Sequence, residues 1–100
     1  MSTGTIYLAH PYGLDSHNYF KAVKLEAELL YENPRLHIFN AVRYFSHYRD
    51  VLQENDILER CIDILLRCDE LWVAEGWERS TGCKIEIEVA KDCGMTIRYL

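Results

Sequence analysis

Four short apolar runs alternate with three longer stretches of helical spacing, and this alternation constrains the chain more than any other feature of it. Residues 5–10, 36–40, 70–75 and 95–99 have the length and apolar content of buried strands. Between the first two runs, Asp15 or Ser16 can cap a helix that continues to Glu32, with Phe20, Val23, Ala27, Leu30 and Tyr31 as its apolar stripe, and Asn33-Pro34 ends it. From Glu54 to Arg67 the positions of Ile57, Leu58, Cys61, Ile62, Leu65 and Cys68 are again helical. A third helix starts near Ser80 or Thr81 and runs to Cys93, and Gly94 is placed to stop it. Strictly alternating short strands and helices predict an α/β fold with a parallel sheet covered on both faces and joined by right-handed crossovers. The expected arrangement is a small flavodoxin- or Rossmann-like three-layer fold with four parallel strands in the order 2-1-3-4, all in a single domain over residues 1–100.

In such a sheet, ligands sit beyond the carboxyl ends of the strands where the order reverses, here between the first and third strands. Two segments meet there, His10-Pro11-Tyr12-Gly13 and residues 76–82. The helix that leaves the second segment carries an anomaly. At 100° per residue, Lys84, Glu88, Lys91 and Asp92 share a polar arc, while Glu86 projects from the apolar arc of Gly82, Cys83, Val89, Ala90 and Cys93. A carboxylate buried without partners costs several kcal/mol, so Glu86 must be neutral, hydrogen-bonded, or at the floor of a cleft. A buried acid tied to a neighbouring group is the structural alternative to a functional one. Residues 41–50, with Tyr44, Phe45, His47 and Tyr48, are aromatic enough either to pack on the core or to wall a binding cleft.

Composition narrows the function classes. A net charge of −5 with no basic cluster argues against duplex nucleic acid as a partner. No apolar run approaches a membrane span, and the first residues have no signal-peptide character, so a soluble cytoplasmic protein without membrane contact is expected. Cys61, Cys68, Cys83 and Cys93 form no C-x-x-C pair and read as reduced core thiols. His10, His17, His37 and His47 make no metal-ligand pair, and neither a metal nor a cofactor is expected.

Several short motifs carry a resemblance: residues 6–13, then Asn18 with Ala22, then residues 68–73, then Ser80-x-Gly82-x-x-x-Glu86-x-x-x-Ala90. Together they resemble the nucleoside 2-deoxyribosyltransferase family and its 2'-deoxynucleoside 5'-phosphate N-hydrolase relatives, most nearly a small branch that is often bacterial or phage-borne. The resemblance implies that Glu86 is the catalytic glutamate, attacking or stabilising the anomeric carbon as the base leaves. It implies a phosphate-binding role for Ser80, where the phosphate-hydrolysing relatives have a serine and the transferases an aspartate. Arg79 could add charge at that end, and Gly82 belongs to the same motif. By the same resemblance, His10, Pro11, Tyr12 and Gly13 would line the sugar or base, Asn18 would hold the first loop, and Trp77 could stack on a base. Each has a plainer reading: a loop histidine bonded to backbone, a helix cap at Ser80, a tryptophan covering the sheet edge, a structural Asp69 at the start of the third strand. The second acid of the better-known members falls at Cys61, with Asp56 and Asp63 nearby but directed elsewhere on the helix.

The reading that follows is cleavage or transfer at the N-glycosidic bond of a nucleotide or nucleoside. The alternative is a non-catalytic binder of a nucleotide or an ADP-ribose-like signal. The expected partners are a small-molecule nucleotide or nucleoside and, by the resemblance, further copies of the chain in a homodimer or higher homo-oligomer.

Overall fold

The computed structural model describes residues 4–12 and 16–100, so Gly13 and Asp15 lie outside the described residues. Its elements are β1 (Thr5–Ala9), α1 (Ser16–Glu32), β2 (His37–Asn40), α2 (Ala41–Phe45), α3 (Glu54–Leu65), β3 (Glu70–Val73), a 3-10 turn (Trp77–Arg79), α4 (Thr81–Asp92) and β4 (Thr96–Tyr99). The four strands are all parallel and ordered β2-β1-β3-β4, as the alternation required. Each strand is shorter than its apolar run by a residue or two, at the end for β1 and β3 and at the start for β2 and β4.

Period-two alternation splits the core between two layers. Tyr7 and Ala9 of β1 and Leu71 and Val73 of β3 point to one face, where Cys61 and Leu65 of α3 and Cys83, Ile87 and Ala90 of α4 close over them. Ile6, Leu8 and Trp72 point to the other, against Leu25 and Leu29 of α1. The stripe expected for α1 is therefore corrected. Phe20 is 67% and Tyr31 90% exposed, and the inward face is Ala22, Leu25 and Leu29. Apolar residues occupy most of the circumference of α1, so periodicity alone admits two stripes; close approach to the sheet selects the one with the small Ala22.

That close approach has a visible tether. Asn40, the last residue of β2, is buried, and its Nδ2 donates to the Ala22 carbonyl (3.0 Å) and to Glu26 Oε1 (3.1 Å). Its Oδ1 accepts from the Arg43 amide (3.2 Å) and so caps α2, and the Arg43 guanidinium binds both Glu26 oxygens (2.9 and 3.2 Å). One side chain thus splices β2 directly into α2 while holding α1. Asn40→Ala is expected to cost about 2 kcal/mol, combining a lost cap with buried acceptors left unpaired, and urea unfolding should show a lower midpoint at unchanged slope.

The loop after β3 and the end of α4 both use glycine in the left-handed region. Gly76 (φ 92°) turns the chain from β3 into the 3-10 turn. Gly94 (φ 70°) ends α4: its amide bonds the Lys91 carbonyl (3.1 Å) and the Met95 amide bonds the Ala90 carbonyl (2.9 Å), the paired C-terminal motif that releases the chain into β4. Asp69 lies just before β3 at the amino ends of the strands, where its carboxylate accepts from the Thr5 amide (2.8 Å). Its role there is structural.

Candidate active site

A cleft of about 830 Å³ opens over the carboxyl ends of β1 and β3, at the reversal of strand order. It brings together His10, Pro11, Tyr12, Asn18, Arg79, Ser80, Gly82 and Glu86, residues that lie far apart in the sequence. A shallower hollow of about 480 Å³ on the outer side of α3 is bordered by Asp56 and Asp63, so those two acids face away from Glu86.

Glu86 is 6% exposed, on the inner face of α4 one turn beyond its start. The hydroxyl of Tyr7, itself fully buried on β1, donates to Oε2. The other oxygen, Oε1, has no hydrogen bond to any described residue. Yet no fully buried side-chain oxygen or nitrogen among the described residues lacks a partner. Oε1 therefore keeps contact with the cleft. Burial raises the Glu86 carboxyl to about 7, against a smaller opposing effect of the Tyr7 hydrogen bond. Tyr7 is held well above its ordinary range, first by burial and then by the adjacent carboxylate, so it remains a donor throughout the physiological range.

Around this floor the loops are tied to themselves. Nδ1 of His10 lies 2.7 Å from the Pro11 carbonyl, which only accepts, so Nδ1 carries the proton and Nε2 is left as an acceptor. Burial, helped by the nearby Lys21, lowers His10 below its usual value and keeps it neutral. Asn18 Nδ2 donates to the Tyr12 carbonyl (2.7 Å), fixing the loop after β1 as expected. Across the cleft the Arg49 guanidinium lies 4.1 Å from the centre of the Tyr12 ring and 3.6 Å from Glu54, joining that loop to the segment before α3.

Ser80 is the N-cap of α4: its Oγ accepts from the Cys83 amide (3.2 Å), and its carbonyl takes the Lys84 amide (3.1 Å). Among the described residues nothing accepts from the Thr81 and Gly82 amides, which stand at the positive end of the helix dipole and border the same cleft as Arg79. A Cβ on Gly82 would meet nothing closer than Ser80 Oγ at 4.0 Å, so internal packing does not demand glycine there and the vacant space belongs to the cleft.

Trp77 does not join this lining. Its ring packs on Tyr99 of β4 (5.5 Å between centroids), the sheet-edge arrangement. In the aromatic segment, Phe45 reaches the core and the cleft, while Tyr44 and Tyr48 turn outward and stack on each other. Sequence reasoning missed Tyr7, Lys21, Arg49 and Cys83 as cleft or near-cleft groups. For Tyr7 a signal existed: a phenol in a strand covered on both faces needs a partner for its hydroxyl. Among the described residues, no group of three or more His, Cys, Asp or Glu is arranged to hold a metal ion, and no helix is long and apolar enough to cross a membrane.

Comparison with known proteins agrees with this architecture. A solved structure described as a 2-desoxiribosyltransferase from Leishmania mexicana superposes with a TM-score of 0.67 over 96% of this chain at 18% identity, which establishes a shared fold. The chain spans 63% of that protein's length. No curated protein matches the sequence. Residues 6–99 match the family described as Domain of unknown function (DUF4406), and on that near-complete match the chain belongs to this family.

Proposed function

We propose that the protein cleaves or transfers at the N-glycosidic bond of a nucleotide or nucleoside, with Glu86 as nucleophile. The observation that carries this reading is the Glu86 carboxyl itself: sunk at the floor of a cleft, fixed through one oxygen by Tyr7, and open to the cleft through the other. Departure of a base from a sugar builds positive charge at the anomeric carbon, and a carboxylate held against one face can form an ester with it as the base leaves with the bonding pair. Water, or a second base, then attacks the same carbon and frees the carboxylate. The fold shared with a 2-desoxiribosyltransferase is consistent with this chemistry. A carboxyl at about 7 is substantially ionised at cytoplasmic pH yet basic enough to bond carbon.

The open amides of α4, with Ser80 and Arg79, favour an anionic group on the substrate, and hence a nucleotide over a free nucleoside. Arg79→Ala and Ser80→Ala are each expected to weaken binding of a nucleoside 5'-phosphate roughly tenfold while leaving the unphosphorylated nucleoside nearly unchanged. Calorimetric titration of both ligands checks this. Base release is the primary test: purified protein is incubated with nucleosides, deoxynucleotides and dinucleotides, and free base is sought by chromatography. Release from none of them sinks the proposal.

One observation favours a second reading, a binder that holds such a ligand without cleaving it. Beside Glu86 the cleft carries Cys61, whose thiol burial pushes up to about 11, rather than an acid that could protonate a leaving base. An intact nucleotide recovered unchanged after long incubation with the protein would select it.

A further inference from the structure

His10 stands just past the carboxyl end of β1, three residues after Tyr7, so at most about 10 Å of chain separates it from the residue that holds Glu86. Its ring has one fixed sense. With the Nδ1 proton given to the Pro11 carbonyl at 2.7 Å, Nε2 carries a lone pair, and burial keeps the ring neutral. Nothing among the described residues donates to Nε2, yet no fully buried polar side-chain atom there lacks a partner, so Nε2 keeps contact with the cleft that His10 borders. The β1 wall thus presents an acceptor, whereas the α4 wall presents donors in Arg79, the Ser80 hydroxyl and the first amides of the helix.

We propose that His10 is a specificity-determining residue: its Nε2 accepts a hydrogen bond from a ring hydroxyl of the ligand's sugar, while the ligand's anionic group sits at the opposite wall. Ring geometry favours this placement. A sugar with its anomeric carbon at Glu86 and its 5'-phosphate at the start of α4 has both anchors on one helix. The edge joining C1' to C4' through the ring oxygen then faces α4, and the opposite edge, C2' and C3' with their hydroxyls, faces the segment after β1. Chemistry narrows the donor further. A phosphate oxygen brings no proton to Nε2, and the lone pair repels its charge. Lys21 of α1 borders the same cleft, and a hydroxyl can accept from it while donating to Nε2, which a base N–H cannot do. The proposal rests on the reading of Glu86 as the reacting group, but its test measures binding and not turnover.

The experiment titrates ribo-, 2'-deoxy- and 2',3'-dideoxynucleoside 5'-phosphates of each base into the Glu86→Gln protein, where the ligand stays intact, and reads affinity by calorimetry. A hydroxylated ligand should bind about tenfold more tightly than its dideoxy counterpart. Adding His10→Asn keeps a donor for the Pro11 carbonyl but removes the acceptor, and should erase that difference; His10→Gln sets an amide oxygen near the place of Nε2 and should restore part of it. In protein carrying isotopically labelled histidine, the Nε2 nitrogen resonance should move upfield with the hydroxylated ligand and stay in place with the dideoxy one. These last two ligands need no His10 variant, so they decide if His10→Asn fails to fold. Dideoxy ligands that bind as tightly as the hydroxylated ones overturn the proposal, as does a folded His10→Asn protein that still discriminates. Binding of no nucleotide at all overturns it together with the reading on which it rests. Discrimination through His10 without base release from any compound by the wild type fails the proposed activity and leaves the His10 contact standing; base release without discrimination does the reverse.

Discussion

Glu86→Gln is expected to abolish base release, by at least about a thousandfold, while making the folded protein more stable at pH 8. The two effects have one cause. Burial raises the Glu86 carboxyl to about 7 from an ordinary value of 4.5, so the folded state holds a proton there that the unfolded chain has lost. Stability from this group is therefore complete below about pH 4.5 and disappears as pH rises through 7. At pH 8 the wild type has lost about 3 kcal/mol by this route, and glutamine, which cannot ionise, keeps most of it. Thermal unfolding at pH 8 should show the variant melting about 10 °C higher, and at pH 4 the two proteins should nearly coincide. Equal melting points at pH 8 would mean that the carboxyl is better solvated than its burial indicates.

Tyr7→Phe should act in the opposite direction on the same group. The hydroxyl of Tyr7 is the hydrogen-bond donor to Glu86, and it favours the charged form. Losing a buried hydrogen bond to a charge removes about 1.5 to 3 kcal/mol, which is roughly one to two pH units. The rate should rise with pH along a limb near 7 in the wild type, and near 8 to 9 in the variant. At pH 7 this is a ten- to hundredfold loss that recovers on the alkaline side. A pH profile of kcat/KM distinguishes such recovery from a uniform loss, which would instead indicate a misplaced carboxyl.

Much of this was legible from residue order, for reasons that can be named. The sheet order followed from short apolar runs alternating with helices, since crossover handedness and burial leave few arrangements. Glu86 was legible because a charge stood where the period of α4 called for hydrocarbon. The loop residues from His10 to Tyr12 followed from the reversal point of the sheet, which any two strands in that order create. The α1 stripe was not legible: with apolar groups around most of the helix, orientation was set by the Asn40 tether to Ala22, a contact across 18 residues that no local period encodes. The partnership of Tyr7 with Glu86 was hidden in the same way, across 79 residues, inside a strand that reads as uniformly apolar. Arg49 and Lys21 join the cleft through loop and helix geometry, and an exposed cation carries no mark in a sequence that says which surface it will border.

The buried groups around the Glu86 carboxyl are Tyr7, Cys61 and Cys83, side chains that also belong to the larger of the two hydrophobic layers. The candidate acid and the hydrophobic core therefore share one set of buried side chains. Divergence that repacks this layer therefore retunes the acid at the same time, since any change in how tightly hydrocarbon excludes water there alters how readily the proton leaves. Lineages carrying this fold would be expected to drift in working pH and in heat resistance together.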